Sequence, residues 1–140
     1  VPHFIAVLNG SFIFAFDFLR AYPGDCKISF VKLSSYTGLE STGKVLELIG
    51  LKELVDDEAL VVLEDIVDTG TTLLKIDEIL KAKGKSWQIS SLFLKPDAYK
   101  GDSKIDFVGF EIPNRFIVGY GLDYDGLGRN LKNVYQLAKA

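Results

Sequence analysis

The stretch from Leu60 to Leu73 constrains this chain most, because it reads as a buried strand, a polar loop and the start of a helix. The apolar run Leu60–Leu63 is followed by two acids, two apolar residues and a third acid, and then by Thr69-Gly70-Thr71-Thr72. Backbone N–H groups and hydroxyls at the start of a helix bind phosphate, and carboxylates bind sugar hydroxyls or a metal ion. The stretch therefore predicts a site for a sugar phosphate.

Apolar runs on both sides of this stretch alternate with helical patterns. Strands are predicted at Phe4–Leu8, Lys27–Leu33, Lys44–Ile49, Leu60–Glu64, Gln88–Leu94, Asp106–Gly109 and Phe116–Tyr120, and helices at Phe12–Tyr22 and Thr71–Lys83. The segment Asn130–Ala138 fits either a short helix or a strand. The alternation predicts one α/β domain over residues 1–140, with a mostly parallel sheet flanked by helices.

In such sheets, ligands bind beyond the carboxyl ends of the strands. Three polar segments follow predicted strands directly, namely Asn9-Gly10-Ser11, Glu64–Thr72 and Lys95. We therefore expect these segments to meet at one edge of the sheet and to form the functional site.

Charge and composition exclude several classes of function. The 140 residues carry a formal net charge of −3 without a basic stripe, which argues against a non-specific nucleic-acid binder. One cysteine, Cys26, and one histidine, His3, are too few for a disulfide or a zinc site, and they indicate a reducing, cytoplasmic location. The apolar segment Phe12–Leu19 is too short to cross a membrane. The chain has no methionine and begins at Val1-Pro2-His3 just before a predicted strand, so we expect a fragment, a processed chain or the ordered part of a longer one.

The nine residues Glu64–Thr72 resemble the phosphoribosyl-diphosphate binding motif of the type I phosphoribosyltransferases. Leu33-Ser34-Ser35-Tyr36 looks like the mobile-loop signature of the hypoxanthine/guanine branch of that family. Three further segments resemble the C-terminal half of the branch, namely Asp106–Pro113, Val118–Tyr120 and Leu122–Tyr124. The similarity runs over essentially the whole chain, but the family's N-terminal segment is missing, which implies a small, truncated hood.

The resemblance implies an enzyme of purine salvage. Such an enzyme transfers the 5-phosphoribosyl group from phosphoribosyl diphosphate to N9 of hypoxanthine, and of guanine, giving IMP or GMP and pyrophosphate. Mg²⁺ is the implied cofactor, and the partners are small molecules rather than nucleic acid or membrane. A preference for guanine or xanthine is the alternative for the base. A non-catalytic, nucleotide-sensing regulator on the same fold is the alternative from another class.

The resemblance also implies roles for individual residues, with Asp68 as the general acid/base near purine N7. The residues implied for the 5-phosphate and ribose are Glu64, Asp65, Asp68, Thr69, Gly70, Thr71 and Thr72. Those implied for the base are Lys95, which would donate to the 6-oxo group, Phe116, Ile117 and Asp123. Those implied for pyrophosphate and for a mobile lid at residues 34–43 are Asn9, Gly10, Ser35, Tyr36 and Arg129. The implied Mg²⁺ ligands are Glu64, Asp65 and Asp123.

Three local expectations complete the prediction. Glu64 and Asp65 are neighbours in an extended segment, so their side chains should point to opposite sides. The family's pyrophosphate loop contains a cis peptide before a glycine, which the match places between Asn9 and Gly10; many members carry lysine at residue 9. The aromatic helix Phe12–Tyr22 is apolar on more than one face, which favours a homodimer or homotetramer.

Overall fold

The computed structural model describes residues 1–35, 45–49, 51, 54 and 58–138, with the backbone alone for 34–35 and 45–49. Within these residues the strands are β1 (Pro2–Leu8), β2 (Lys27–Ser35), β3 (Val45–Ile49), β4 (Ala59–Val67), β5 (Gln88–Leu94), β6 (Phe107–Glu111), β7 (Ile117–Val118) and β8 (Tyr135–Gln136). The helices are α1 (Phe12–Ala21) and α2 (Thr71–Ala82).

Six of the strands form one sheet in the order β3-β2-β1-β4-β5-β6. The antiparallel edge strand β3 pairs with β2, and the other pairs are parallel. The central strand β1 is buried along most of its length, as expected of a continuous apolar run between parallel neighbours. The chain moves outward from β1 to β2 and β3, and then returns to β4 on the other side of β1. The loops after β1 and β4 therefore flank a switch point, where open α/β sheets bind ligands.

The two helices cover opposite faces of the sheet, because alternate side chains of each strand point to opposite sides. Helix α2 packs Leu73, Ile76 and Leu80 on one face, against a cluster that includes Ile5 and Val62. Helix α1 packs Ala15 on the other face, against Phe4, Ala6 and Leu63. The predicted α/β fold, with helices flanking a mostly parallel sheet, is confirmed. In the described part of the chain, neither helix is long and apolar enough to traverse a bilayer.

Helix α1 buries one apolar face and leaves another open. Phe18 packs edge-on against Phe4 with ring centroids 4.9 Å apart, whereas Phe16 is 61% exposed. The open face contributes to a shallow apolar groove that is continued on β2 by the exposed Phe30. The prediction of a helix that is apolar on more than one face is therefore confirmed.

The main differences from the predicted bounds occur where strands end. Strand β4 continues to Val67 and not only to the predicted end at Glu64, so Asp65 also lies within it. The predicted strand Phe116–Tyr120 shortens to β7, because Gly119, Tyr120 and Gly121 have φ values of 103°, 50° and 98°, which no strand accommodates. The C-terminal segment is neither a helix nor a long strand, since it contributes only the two residues of β8, antiparallel to β7.

Candidate active site

The loop between β4 and α2 presents an uncapped helix start. Gly70, at φ 95°, occupies the N-cap position of α2 and offers no side-chain acceptor to the N–H groups of the first turn. The hydroxyls of Thr69 and Thr71 lie 3.1 Å apart on the exposed side of the loop. A helix start that uses no cap of its own leaves its N–H groups available to an external anion.

This loop forms one wall of a cavity of about 300 Å³, here called the phosphate cavity. The other walls come from the ends of β1 and β2, the loop after β1 and the end of β4. The lining residues are Val7, Leu8, Gly10, Leu33, Glu64, Asp65, Ile66, Val67, Asp68, Thr69, Gly70, Thr71, Thr72 and Leu73. The structure thus brings together all seven residues predicted for the 5-phosphate and ribose.

Glu64 and Asp65 line the phosphate cavity side by side, so the expectation that they point to opposite sides is wrong. The two carboxyl groups are close enough for the charge of Asp65 to act on Glu64. Asp65 reaches over the end of β1 because it lies against Gly10, which has no side chain to exclude it. A Cβ atom at residue 10 would lie 2.8 Å from Cγ of Asp65.

The environment of this carboxyl pair disfavours two negative charges. Glu64 is only 4% exposed, and burial raises its pKa well above the ordinary value, with the charge of Asp65 adding to the rise. Burial also raises the pKa of Asp65, and the hydrogen bond with Glu64 and the positive charge of Arg129 offset part of that rise. Burial thus favours the neutral form of both groups, and a positive charge placed beside them would favour the ionised form.

Asp68 lies at the end of the acidic stretch and contacts Lys95. The Lys95 ammonium donates to Oδ2 of Asp68 at 3.1 Å, and Lys95 itself is buried while Asp68 is open to solvent. The backbone holds the pair in place, because Lys95 N–H donates to the carbonyl of Val67 at 3.0 Å. A lysine beside a carboxylate, with one partner buried, can direct a donor and an acceptor at the same ligand.

A second cavity of about 250 Å³, here called the base cavity, adjoins the first. It contains all four residues predicted for the base. Its lining residues are Asp65, Ile66, Asp68, Lys95, Phe116, Ile117, Leu122, Asp123 and Arg129. The two cavities share Asp65, Ile66 and Asp68, so the end of β4 separates a wall rich in hydroxyl groups from an aromatic and cationic wall.

Arg129 and Asp123 face each other across the base cavity. Arg129 Nη2 lies 3.2 Å from Asp123 Oδ1, and Arg129 Nη1 donates to the carbonyl of Gly121 at 2.7 Å. Gly126 N–H donates to the second carboxylate oxygen of Asp123 at 2.8 Å. Phe116 is half exposed and meets Tyr124 edge-on, with centroids 5.6 Å apart. Arg129 is thus held in the wall of the base cavity by Asp123 and by the carbonyl of Gly121.

The three predicted Mg²⁺ ligands do not form one cluster. In the part of the chain that the structure describes, no group of three or more acidic, histidine or cysteine side chains could hold an ion. Glu64 and Asp65 are adjacent, whereas Asp123 pairs with Arg129. A cation here would need oxygen ligands from substrate and water as well as the protein.

The loop after β1 differs from its prediction in one detail. The cis peptide joins Leu8 and Asn9, one residue before the expected Asn9–Gly10 bond. Gly10 lines the phosphate cavity, and its carbonyl oxygen occupies the space that a Cβ atom at Gly121 would need. Asn9 is exposed and, among the described residues, is not part of either cavity wall. Its predicted role at pyrophosphate stays a prediction.

The predicted lid is not covered by the structure. Ser34 and Ser35 end β2 and are described by their backbone alone, and residues 36–43 of the predicted lid at residues 34–43, including Tyr36, lie outside the described residues. Sequence reasoning also missed two lining residues of the base cavity, Ile66 and Leu122. Ile66 could have been found, because it stands between the acids of the motif, whereas Leu122 carries no chemical signal.

Residues 1–125 match the phosphoribosyl transferase domain family. The chain belongs to that family. The match covers most of the phosphoribosyltransferase chain, including both cavities up to Asp123. The family that the Glu64–Thr72 motif resembles is therefore confirmed.

Curated relatives and solved structures lie in the same branch. The hypoxanthine-guanine phosphoribosyltransferase of Staphylococcus epidermidis is 41% identical over 129 residues, which is 91% of this chain and 72% of the relative. The enzyme of the same name from Aquifex aeolicus is 37% identical over 135 residues, 95% of this chain and 76% of the relative. Among solved structures, the hypoxanthine phosphoribosyltransferase of Trypanosoma cruzi in complex with the product IMP has a TM-score of 0.88 at 34% identity, over 98% of this chain and 75% of that one.

Proposed function

We propose that this phosphoribosyltransferase acts in purine salvage. It transfers the 5-phosphoribosyl group of phosphoribosyl diphosphate to N9 of hypoxanthine, and of guanine, giving IMP or GMP and pyrophosphate. The observation that carries the proposal is the meeting of the phosphate and base cavities along Asp65–Asp68. A ribose anchored by its phosphate in the first cavity would present C1 to a purine in the second.

In this reaction the bond from C1 to the pyrophosphate oxygen breaks and the bond from C1 to N9 forms, so the purine gives up one proton. The ribose becomes positively charged in the transition state. The carboxyl pair Glu64–Asp65 lies on that side and can stabilise the charge through the ribose hydroxyls. Asp68, which lines both cavities, is the residue that takes or returns the proton at purine N7.

The base cavity favours a 6-oxopurine. Lys95 has no acceptor lone pair, so it can donate to a 6-oxo oxygen but would face another donor in adenine, which has an amino group there. Phe116 offers a half-exposed ring for stacking, and Ile117 offers backbone groups at the edge of the purine. The choice among hypoxanthine, guanine and xanthine depends on the 2-position, near Ile117 and Asp123.

Mg²⁺ belongs to the proposal as the partner of phosphoribosyl diphosphate. The donors fit, because two adjacent carboxyl groups with raised pKa values would gain from a hard cation, and Mg²⁺ prefers one or two carboxylates with phosphate and water oxygens. Glu64, Asp65 and Asp123 are the residues that would hold the ion, together with substrate and water oxygens. When bound, the ion neutralises charge on the leaving pyrophosphate, and Arg129 grips the same group.

We place the enzyme in the cytoplasm as a homodimer or homotetramer. The single cysteine fits a reducing compartment. The exposed aromatic residues Phe12 and Phe16 on α1, with Phe30 beside them, form the kind of apolar surface that a second copy would cover.

The proposed function is tested by mixing the protein with phosphoribosyl diphosphate, Mg²⁺ and one base at a time, and following nucleotide formation. Hypoxanthine and guanine should give IMP and GMP, and omission of Mg²⁺ should abolish turnover. Faster turnover with xanthine than with hypoxanthine or guanine would make xanthine the preferred 6-oxopurine. Adenine as the best substrate would contradict the role of Lys95. Binding of nucleotide without product from any base would support a regulator.

A further inference from the structure

Gly70 separates the phosphate cavity from another cavity behind the loop. This rear cavity has a volume of about 290 Å³ and is walled by Trp87 and Tyr99, among others. The ring of Tyr99 lies directly against Gly70, such that a Cβ atom at residue 70 would be 2.7 Å from Cε2 and 3.1 Å from Cδ2. An aromatic ring therefore lies against the phosphate loop at a glycine that lines both cavities.

The ring of Tyr99 is itself held on several sides. Its hydroxyl donates to the carbonyl of Ser103 at 2.7 Å. A Cβ atom at Gly101 would lie 2.6 Å from Cζ, so the ring is packed between two glycines of different loops. Burial raises the pKa of the Tyr99 hydroxyl, with the charge of Asp102 adding to the rise, so the group remains a donor. These contacts leave the ring little freedom to move away from Gly70.

The same turn is tied to the phosphate loop by backbone hydrogen bonds. Tyr99 N–H donates to the carbonyl of Lys95 at 3.0 Å, which closes the turn. Lys100 N–H donates to the carbonyl of Thr69 at 3.2 Å, one residue before Gly70. Because Lys95 also contacts Asp68, the turn joins the acid/base residue and the phosphate loop in one unit.

Glycine populates both signs of φ, so Gly70 alone does not determine its own conformation. The direction of the N–H groups around it depends on that φ value, and phosphate binding depends on their direction. We propose that Tyr99 is a positioning residue, whose ring holds Gly70 at φ 95° and so directs the loop N–H groups at the 5-phosphate. This inference rests on the proposed function, and it assigns to Tyr99 a role in affinity for the sugar phosphate.

The test compares Tyr99→Ala and Tyr99→Phe with the unmodified chain. Tyr99→Ala removes the ring, so we expect KM for phosphoribosyl diphosphate to rise by about tenfold or more, with KM for hypoxanthine nearly unchanged. Tyr99→Phe keeps the ring against Gly70 and loses only the bond to Ser103. Its KM for phosphoribosyl diphosphate should therefore stay within about twofold of that of the unmodified chain.

Trp87→Ala is the matched control for a merely structural effect. Trp87 walls the same rear cavity and packs on the same core as Tyr99, and its ring N–H bonds to Asp77 at 3.1 Å. This variant should lose stability without a selective rise in KM for phosphoribosyl diphosphate. If both alanine variants raised that KM equally, or if Tyr99→Ala left it unchanged, the positioning role would be wrong. Should Tyr99→Ala fail to fold, Tyr99→Leu removes the planar ring with less loss of apolar bulk.

Calorimetric binding of ribose 5-phosphate separates failure of this inference from failure of the proposed function. If the unmodified chain makes no nucleotide but binds ribose 5-phosphate, the proposed enzyme activity is wrong, and the effect of Tyr99→Ala on that affinity still tests the ring. Weaker binding by Tyr99→Ala, with Tyr99→Phe and Trp87→Ala unaffected, would support the positioning role. Equal affinities in all four proteins would overturn it.

Discussion

The carboxylate of Asp65 occupies the space that a side chain at Gly10 would need. A Cβ atom at residue 10 would lie 2.8 Å from Cγ and closer still to Oδ2 of Asp65. The loop after β1 and the end of β4 thus meet at a point where one residue must be glycine for the other to reach the phosphate cavity. The position of a catalytic-site carboxylate thus depends on a glycine that is distant in sequence.

Gly10→Ala is expected to impair catalysis more than folding. The methyl group would displace Asp65, and misplacement of about 1 Å in an active site can cost about 10²-fold in rate. Overpacking should also cost about 1–3 kcal/mol of unfolding free energy. The measurements are kcat/KM for phosphoribosyl diphosphate and urea denaturation.

Gly84→Ala is the matched control for this substitution. Gly84 also has a positive φ, 69°, but nothing lies within 4 Å of its Cβ position. This variant should lose about 1 kcal/mol of stability from the backbone strain and keep full activity. If Gly84→Ala lost as much activity as Gly10→Ala, the contact with Asp65 would not be the cause.

Asp68→Asn is expected to slow turnover without weakening sugar-phosphate binding. Removal of a general acid/base group costs about 10²–10⁴ in rate, and the amide preserves the shape of the carboxylate beside Lys95. The measurements are single-turnover rates and calorimetric binding of ribose 5-phosphate. Equal losses of rate and affinity would mean that Asp68 only positions the loop.

Lys95→Met should weaken use of 6-oxopurines. The substitution keeps the apolar stem and removes the buried ammonium, so KM for hypoxanthine should rise by about 10–100-fold, the range expected when one charge-assisted hydrogen bond is lost. Discrimination against adenine should fall at the same time. Lys83→Met, on an exposed residue at the end of α2, is the control and should leave both values unchanged. Unaltered discrimination in Lys95→Met would contradict the proposed contact with the 6-oxo group.

The carboxyl pair predicts an unusual dependence of stability on pH. Because the folded-state pKa values of Glu64 and Asp65 are raised, the folded chain binds more protons than the unfolded chain above the ordinary values of 4.5 and 3.8. Their contribution to stability is therefore fully present below those values and is lost as pH rises through the folded-state pKa values. Glu64→Gln should stabilise the ligand-free protein, increasingly so from pH 5 to pH 8, in urea denaturation measured across that range.

Substrate binding should reverse the stability advantage that Glu64→Gln has in the ligand-free protein. Phosphoribosyl diphosphate with Mg²⁺ should raise Tm of the unmodified chain more than that of Glu64→Gln, because the carboxylate charge then has a partner. Equal shifts in Tm for the two proteins would show that Glu64 does not face the bound cation or ribose.

A prediction about stability concerns the end of the sheet away from the two cavities, where β1 and β2 begin. The ring of His3, which is 5% exposed, bonds to Glu58 at 2.8 Å and to Ser29 at 2.7 Å, and Lys27 also pairs with Glu58. His3→Ala should cost about 2–4 kcal/mol of unfolding free energy, because it leaves a cavity and removes one hydrogen bond from the buried carboxylate of Glu58. Ser29→Ala removes one bond and should cost about 1 kcal/mol. KM values should not change in either variant, since the active site lies at the other end of the sheet.

The parts of the site that are contiguous in sequence could be predicted from it. The segment Leu60–Leu73 combines a strand period, three acids and a Gly-centred hydroxyl loop, so both its structure and its chemistry follow from local rules. The edge at which Lys95 joins Asp68 followed from the parallel topology, because the carboxyl ends of parallel strands share an edge.

The contacts that could not be predicted depend on tertiary packing. Nothing in the sequence indicates that Asp65 would lie across Gly10 and thereby break the expected alternation with Glu64. The ring of Tyr99 stands in an irregular loop with no period to reveal its partner. The end of β7 was missed because an apolar run predicts a strand, whereas the positive φ values at residues 119–121 stop it.

The shared wall at the end of β4 has a consequence for how substrate preference can change. Under the proposed function, the groups for the 5-phosphate and ribose come from nine consecutive residues, Glu64–Thr72, whereas the base cavity adds Lys95, Phe116 and Ile117 from elsewhere in the chain. Substitutions at Phe116 or Ile117 would then remodel the base cavity while the groups proposed for transfer stay intact. Diversification of base choice within this fold therefore requires changes on only one side of the strand.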